Sequence, residues 1–178
     1  MLAIFLKNKK YFGQKGLTLI EAVLYVFLLM LIMTVIVGSL MAIGKAYRKV
    51  KAARELESTG AIIMESILRE VKNASLVDLA NSTLGVNPGA LSLLGTDESG
   101  TPYAVSFETS SGILQISRDE DVAEPLNTSA GTVSYILFNH LNNTNSEAVR
   151  IELELRSLLS SPPKTERFYG FAVLRGSY

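Results

Sequence analysis

Glu21 stands at the beginning of a long apolar run, and its carboxylate is the group in this 178-residue chain that most needs a chemical explanation. No other charged side chain occurs until Lys45. A carboxylate near the start of a membrane helix costs about 2.5–3.5 kcal/mol on insertion scales, so it requires a partner or a function. The alternative interpretation is structural, because a carboxylate at a helix N-terminus interacts favourably with the helix macrodipole.

Side chains that could carry catalysis are scarce elsewhere. The chain has one histidine, His140, no cysteine, and no serine motif typical of a strand-to-helix nucleophile turn. Three consecutive acids lack the alternating spacing of a calcium loop, and adjacent side chains of an extended segment point to opposite sides. We therefore expect no enzyme, no cofactor and no metal site. For these three acids, Asp119, Glu120 and Asp121, we favour a solvated turn. Calcium binding is the alternative that stays open.

The apolar run extends from Leu17 through Ile43. A membrane span needs about 20 apolar residues at about 1.5 Å each, so this run is long enough to cross a bilayer. It is too long for the apolar core of a secretory signal, and no Ala-x-Ala pattern closes it. What remains is a retained anchor or a signal cut on its cytoplasmic side.

Charge does not settle the topology of this span, because basic residues flank it on both sides. Before it lie Lys7, Lys9, Lys10 and Lys15; after it lie Lys45, Arg48, Lys49, Lys51 and Arg54. The whole chain is neutral, with 17 basic and 17 acidic residues. This balance predicts no specific nucleic-acid partner.

The residues around Glu21 resemble a known processing signal. A short lysine-rich leader precedes the six residues, and the apolar run follows them: Gly16-Leu17-Thr18-Leu19-Ile20-Glu21. This arrangement resembles the class III signal of the type IV prepilin family. The resemblance implies that a prepilin peptidase cleaves between Gly16 and Leu17, removing residues 1–16, and N-methylates Leu17. Leu17 departs from phenylalanine, the commonest residue at this position in the family.

The resemblance also implies partners and a place in the cell. In the family, the glutamate that corresponds to Glu21 pairs with the freed N-terminal amine of a neighbouring subunit. The expected partners are other pilin or pseudopilin subunits, an inner-membrane assembly platform and the lipid bilayer. The expected location is the inner membrane, as a single-pass protein with its head outside the cytoplasm, and then a pilus or pseudopilus filament.

Three roles within the family stay open, and so does one outside it. The absence of the C-terminal disulfide loop that major pilins often carry favours a minor pilin that primes or caps assembly. A type II secretion minor pseudopilin and a competence pilin are the alternatives. Outside the family, the chain would be an uncleaved, single-pass anchored domain whose β-rich head binds a ligand.

A single helix is predicted from Thr18 to about Asn73, because no proline occurs before residue 88. Its second half is amphipathic, with one apolar stripe at helical spacing. The predicted stripe consists of Val50, Ala53, Leu56, Gly60, Ile63, Ile67 and Val71. The segment from Gly38 to Gly44 predicts either a gentle hinge or close packing against a neighbouring helix.

The rest of the chain, residues 76–178, has the pattern of a β-rich head. Strands are predicted near Leu91 to Leu94, around Tyr103 to Phe107, from Ile113 to Arg118, from Val133 to His140, around Val149 to Leu155, and from Arg167 to Arg175. The strand from Val133 to His140 is expected to be central, because it is mostly apolar on both faces. Turns are predicted at Ser110 to Gly112 and at Ser160 to Pro163, and an acidic loop at Asp119 to Pro125. The predicted class is α+β, with a long N-terminal helix packed on a C-terminal antiparallel sheet. The predicted segments are a leader (1–16), a transmembrane helix (17–43), an amphipathic helix (44–75) and the head (76–178).

Overall fold

The computed structural model describes residues 18–97, 99–119, 121–127, 131–143, 146–158 and 162–175. The predicted leader, with Gly16 and Leu17, lies outside the described residues, and so do Glu120 and the Ser160-Ser161 part of a predicted turn. The chain divides into two compact units. The first unit ends at Gly44 and the second unit extends from Lys45 to Tyr178; each is described by itself.

Helix α1, Leu19–Asn73, confirms the predicted long helix and ends at the predicted residue. Thr18 lies just before it and provides the first hydrogen bonds, because the Ala22 N–H donates to the Thr18 carbonyl at 3.1 Å. In the first unit the helix passes from Gly38 to Gly44 without an interruption, and every residue from Leu19 to Gly44 is exposed. A Cβ added at Gly38 would meet nothing within 4 Å, so no described residue packs against the helix there.

In the second unit, α1 buries one stripe against the strands. Five residues of the predicted stripe are buried: Leu56, Gly60, Ile63, Ile67 and Val71. The prediction was wrong at the start of the stripe, where Ala52 is buried instead of Ala53 and Val50 is 51% exposed. The strand that begins at Gly131 covers the next part of the stripe, because a Cβ added at Gly131 would lie 3.1 Å from the side chain of Leu56.

In the part of the chain that the structure describes, eight strands follow α1, and all their pairings are antiparallel. They are β1 Leu76–Val77, β2 Leu91–Thr96, β3 Pro102–Ser110, β4 Ile113–Arg118, β5 Glu124–Pro125, β6 Gly131–Asn143, β7 Ser146–Ser157 and β8 Thr165–Val173. Strands β1 to β5 form one sheet in chain order, and β6 to β8 form a second. The α+β class is confirmed, although a single sheet was expected and the strands form two.

The hairpin between β3 and β4 has the predicted turn. Ser111 has a φ of 52° and Gly112 a φ of 77°, so both central residues are left-handed. Two left-handed residues match the right-handed twist of the flanking strands, as in a type I′ turn. The pairing of Ser110 with Ile113 closes this hairpin, and Val105 and Phe107 of β3 point into the core.

The second sheet corrects one prediction. Val133 to His140 was expected to be a central strand, but β7 is central and β6 lies at an edge. The outer side of β6 is instead covered by the loop before β2. Gly85 and Gly89 donate backbone hydrogen bonds to the carbonyls of Phe138 and Ile136, at 2.8 and 3.0 Å. Because a loop satisfies these groups, β6 has the apolar composition of a covered strand without a strand on each side.

Strand β7 has the alternation that its sequence predicts. Its inward side chains belong to the core, and its outward side chains are charged. The inward set is Val149, Ile151, Leu153 and Leu155, and the outward set is Arg150, Glu152, Glu154 and Arg156. A half-buried strand requires this period of two.

Two reciprocal glycine contacts bring α1 onto β8. The ring of Phe168 occupies the space where a side chain at Gly60 would lie, and the methyl group of Met64 occupies the space at Gly170. A large residue on one element therefore faces a glycine on the other in both places. This close approach puts α1 and the two sheets around one hydrophobic core.

Candidate functional site

Glu21 is the third residue of α1, and Thr18 caps the helix in front of it. The Glu21 N–H donates to the Thr18 hydroxyl oxygen at 3.4 Å. Thr-x-x-Glu is the spacing of a capping box, in which the first residue satisfies a backbone donor of the fourth. Sequence reasoning considered only the macrodipole and missed this local role of Thr18, although the spacing itself could have indicated it.

Tyr25 contacts the carboxylate of Glu21 directly. Its hydroxyl donates a hydrogen bond to Glu21 Oε1 at 3.2 Å, one helical turn further along. Residues four apart lie on the same face of a helix, so the pair needs no distortion of the backbone. Sequence reasoning grouped Tyr25 with the apolar residues and missed this contact.

The part of α1 that carries Glu21 and Tyr25 is apolar on all faces. Within the described residues, α1 is the one helix that is long and apolar enough to span a membrane. Its most apolar window of 18 residues has a mean hydropathy of 2.8, and none of that window is buried within the chain. Glu21 is the one charged residue between Leu19 and Gly44.

Two hydroxyl groups in the same stretch are satisfied by the helix itself. Thr34 Oγ1 donates to the Met30 carbonyl and Ser39 Oγ to the Val35 carbonyl, each at 2.9 Å. Such bonds to the preceding turn keep the hydroxyl groups away from the surroundings. The carboxylate of Glu21 therefore differs from these groups in having an oxygen, Oε2, that receives no donor from any described residue.

The remaining predicted site residues lie outside the part of the chain that the structure describes. These are the proposed cleavage pair Gly16 and Leu17 and the leader charges Lys7, Lys9, Lys10 and Lys15. Cleavage between Gly16 and Leu17 therefore stays a prediction.

The acidic segment after β4 has a structural role in its first residue. Asp119 is left-handed, with a φ of 52°, and its Oδ1 accepts a hydrogen bond from the Ala104 N–H at 2.8 Å. The described residues contain no group of three His, Cys, Asp or Glu side chains that could hold a metal ion. Glu124 and Pro125 were expected in a loop but form β5, which pairs with β4.

His140 lies on the inward side of β6, opposite Val149 of β7. Its Nε2 atom is 3.7 Å from Oε2 of Glu147, too far for a hydrogen bond. The chain contains no cysteine, and the arrangement at His140 is a half-buried histidine beside a carboxylate. It offers no assembled nucleophile.

A partly buried ion pair joins α1 to β4. Arg118 Nη2 donates to Glu70 Oε1 at 2.8 Å, and Glu70 is buried. The pKa of Tyr103 is raised above its usual value, first by burial and then by the negative charge of the Glu70 carboxylate, whereas the positive charge of Arg175 lowers it. Beside the pair is a cavity of about 420 Å³, lined by Ile62, Glu65, Ser66, Arg69, Ile116, Arg118, Glu124 and Leu126.

A smaller cavity, of about 220 Å³, lies on the outward face of the second sheet. It is lined by Tyr135, Glu152, Leu153, Glu154, Arg167 and Tyr169. Arg167 Nε is 2.6 Å from Glu154 Oε2, and the Ser134 hydroxyl donates to Glu154 Oε1 at 2.9 Å. The hydrogen bond from Arg167 lowers the pKa of Glu154 below its usual range, and the hydrogen bond from Ser134 contributes a smaller shift in the same direction.

No family model matches this chain, and neither the curated proteins nor the solved structures include a match. The candidate site is therefore defined by the residues of this chain alone. Among them, Glu21 combines an exposed carboxylate with an exposed apolar helix.

Proposed function

We propose that this chain is a structural subunit of a type IV pilus-like filament, made as a prepilin. In this proposal a prepilin peptidase cuts between Gly16 and Leu17 and N-methylates Leu17. The subunit then waits in the inner membrane and moves into the filament. The support is the agreement between a six-residue processing signal, a lysine-rich leader and the helix that follows.

The observation that carries the proposal is the position of Glu21. It is the one charge of an exposed apolar stretch, and it lies within the first turn of the helix. In apolar surroundings a carboxylate needs an opposite charge close by, because water does not screen it there. Cleavage would create such a charge at Leu17, four residues before Glu21 in every subunit. In the filament, the ammonium group of one subunit would pair with Glu21 of its neighbour.

Assembly would replace lipid by neighbouring helices. The first unit exposes large apolar side chains on every side, which is acceptable in a bilayer and in a bundle of helices but not in water. We propose the role of a minor pilin that primes or caps assembly and contacts other pilins and the assembly platform. A type II secretion pseudopilin and a competence pilin use the same helix and are the alternatives within this class.

The second candidate is an uncleaved, membrane-anchored domain that binds a ligand. The cavity on the outward face of the second sheet favours it, because two tyrosine rings and a paired arginine and glutamate converge there. The two candidates differ in the N-terminus of the mature chain.

The deciding experiment is intact-mass analysis of the chain purified from native membranes. We expect a chain that begins at Leu17 and carries one added methyl group, and a full-length chain when the peptidase gene is deleted. A chain that retains residues 1–16 in the presence of active peptidase would reject the filament subunit and favour the anchored domain.

A second test replaces the acid itself. We expect Glu21→Ala to be cleaved normally, because the cut depends mainly on Gly16, and to stay in the membrane with poor incorporation into filaments. Glu57→Ala removes an exposed acid of the same helix in the second unit and is the matched control. Normal incorporation of Glu21→Ala would argue against pairing with the amine.

Deleting the gene and measuring three phenotypes separately identifies the filament system to which the subunit belongs. Loss of surface pili, of protein secretion or of DNA uptake would indicate a type IV pilus, a type II secretion system or a competence pilus, respectively. The same strain, complemented with the wild-type gene, is the control for each output.

A further inference from the structure

Tyr25 is the one described side chain that donates a hydrogen bond to the carboxylate of Glu21. Side chains of a helix lean toward its N-terminus, so a tyrosine one turn after an acid reaches back over it. A tyrosine one turn before the acid would lean away. The order of Glu21 and Tyr25 along the chain is therefore the order that the contact requires.

The phenol hydroxyl suits a carboxylate in apolar surroundings. It donates a hydrogen bond without adding a charge, and a bond to an ionised acceptor is stronger than one between neutral groups. Tyrosine is also common where a helix meets the membrane surface, which would explain Tyr25 without Glu21. The 3.2 Å contact between the two side chains distinguishes the two explanations, because a surface anchor needs no partner on the helix.

We infer that Tyr25 is a positioning residue for Glu21. Its hydroxyl holds Oε1 and fixes the rotamer of the carboxylate, and it leaves Oε2 without a donor from any described residue. In the membrane the bond partly replaces the water that Glu21 has lost. During assembly, Oε2 is the atom presented to an incoming ammonium group. The assembly role rests on the proposed filament function, whereas the hydrogen bond itself does not.

The first experiment tests the hydrogen bond without any filament. The full-length chain is placed in lipid vesicles, and the infrared band of the Glu21 carboxylate is isolated by subtracting the spectrum of Glu21→Gln. We expect Tyr25→Phe to shift this band, because the ring stays and the hydroxyl is removed. Tyr47→Phe, at an exposed tyrosine of the same helix, is the control and leaves the band in place. An unchanged band in Tyr25→Phe would overturn the inference.

The second experiment tests the positioning role in the native host. We expect Tyr25→Phe to lower incorporation into filaments by roughly tenfold, the range of one hydrogen bond to a charged group. Cleavage and membrane insertion stay normal. In the Glu21→Ala background, Tyr25→Phe causes no further loss, because its effect passes through the acid. An equal loss in both backgrounds would make Tyr25 a packing residue and overturn the inference.

Moving the hydroxyl group separates position from composition. In the Tyr25→Phe chain, Leu24→Tyr places the phenol three residues after Glu21, on a neighbouring position of the same face, and we expect it to restore much of the incorporation. Val26→Tyr places it on another face and restores nothing. Equal rescue by both would contradict a direct bond. A chain that retains residues 1–16 in native membranes would remove the assembly role with the filament function, while the infrared result still decides the bond.

Discussion

The two halves of helix α1 differ in what covers their apolar side chains. From Leu19 to Gly44 every residue of α1 is exposed, although almost all of these residues are apolar. From Lys45 to Asn73 the same helix buries ten residues against the strands of its own chain. A helix that is apolar all round needs surroundings that the described residues do not provide, whereas a helix with one apolar stripe needs only a sheet. The first unit is therefore apolar enough to span a membrane, whereas the helical part of the second unit buries its stripe against strands of its own chain.

Polar groups follow the same division. In the first unit the hydroxyl groups of Thr34 and Ser39 bond to their own helix. In the second unit some polar side chains also join different elements. Asn127, for example, accepts a hydrogen bond from Leu114 N–H at 2.7 Å and donates to the carbonyl of Gly131 at 2.9 Å. Cross-links of this kind specify a tertiary structure, and bonds within one helix do not.

The largest expected effect comes from removing part of the buried stripe. We expect Ile67→Ala, at a side chain that is 0% exposed, to lower the free energy of unfolding by about 3 kcal/mol, because it leaves a cavity in the core. Ile62→Ala is the matched control on the same helix, at 58% exposure, and costs less than about 0.5 kcal/mol. Denaturant unfolding of the detergent-solubilised chain measures both. Equal costs would remove the distinction between a buried stripe and an exposed face.

The next largest difference is expected between alanine substitutions at two glycines of α1, one in each unit. Gly60→Ala brings a methyl group into the ring of Phe168, and we expect a cost of about 1–2 kcal/mol from overpacking, despite the better helix propensity of alanine. Gly38→Ala meets no described residue within 4 Å and costs nothing in the same unfolding experiment. If a neighbouring helix packs on Gly38 in a filament, that variant lowers incorporation instead. A neutral Gly60→Ala would contradict the close approach of α1 and β8.

A smaller effect is expected from the ion pair that joins α1 to β4. Arg118→Ala leaves the buried carboxylate of Glu70 without its nearest cation, and we expect the unfolding free energy to fall by about 1–2 kcal/mol. Lys51→Ala breaks an exposed pair with Glu55 on the same helix and costs about 0.3 kcal/mol. Both values come from denaturant midpoints. A result in which the exposed pair matters as much would mean that burial does not strengthen the Glu70 pair.

The smallest effect is a pH dependence at the surface of the second sheet. Because the pKa of Glu154 is lowered in the folded chain, its pair with Arg167 stabilises the fold above the ordinary glutamate pKa, and this contribution is lost as pH falls through the lowered pKa. We expect Arg167→Gln to raise the pKa of Glu154 toward its ordinary value. Ser134→Ala, which removes the second donor, raises it less. Carboxyl NMR titration measures both, and an unshifted Glu154 in Arg167→Gln would refute the pairing.

Local patterns predicted much of the fold. The helix from Leu19 to Asn73, the alternation of β7 and the β3–β4 turn depend on residues close in sequence, and the structure confirms all three. The edge position of β6 was not predictable, because the loop that covers it through Gly85 and Gly89 lies about 50 residues earlier in the chain. An apolar strand has the same sequence whether a strand or a loop satisfies its outer side.

The candidate site divides in the same way. A single acid in an apolar run is visible in the sequence, so Glu21 was identified from residue types alone. The contacts of Thr18 and Tyr25 with it became apparent only in three dimensions, although both depend on helical spacing. The cavity beside Tyr135 and Tyr169 had no sequence signal, because it depends on the register of three strands.

The sequence by itself determined the helix, the apolar wall of its first half and the acid at its head, because hydrophobicity and helical periodicity act over a few residues. Only the tertiary structure decided that the strands form two sheets, that Ala52 and not Ala53 begins the buried stripe, and that Gly60 and Gly170 receive large side chains from the opposite element. These features depend on which surfaces meet, and close packing between distant segments is not a property of any one of them.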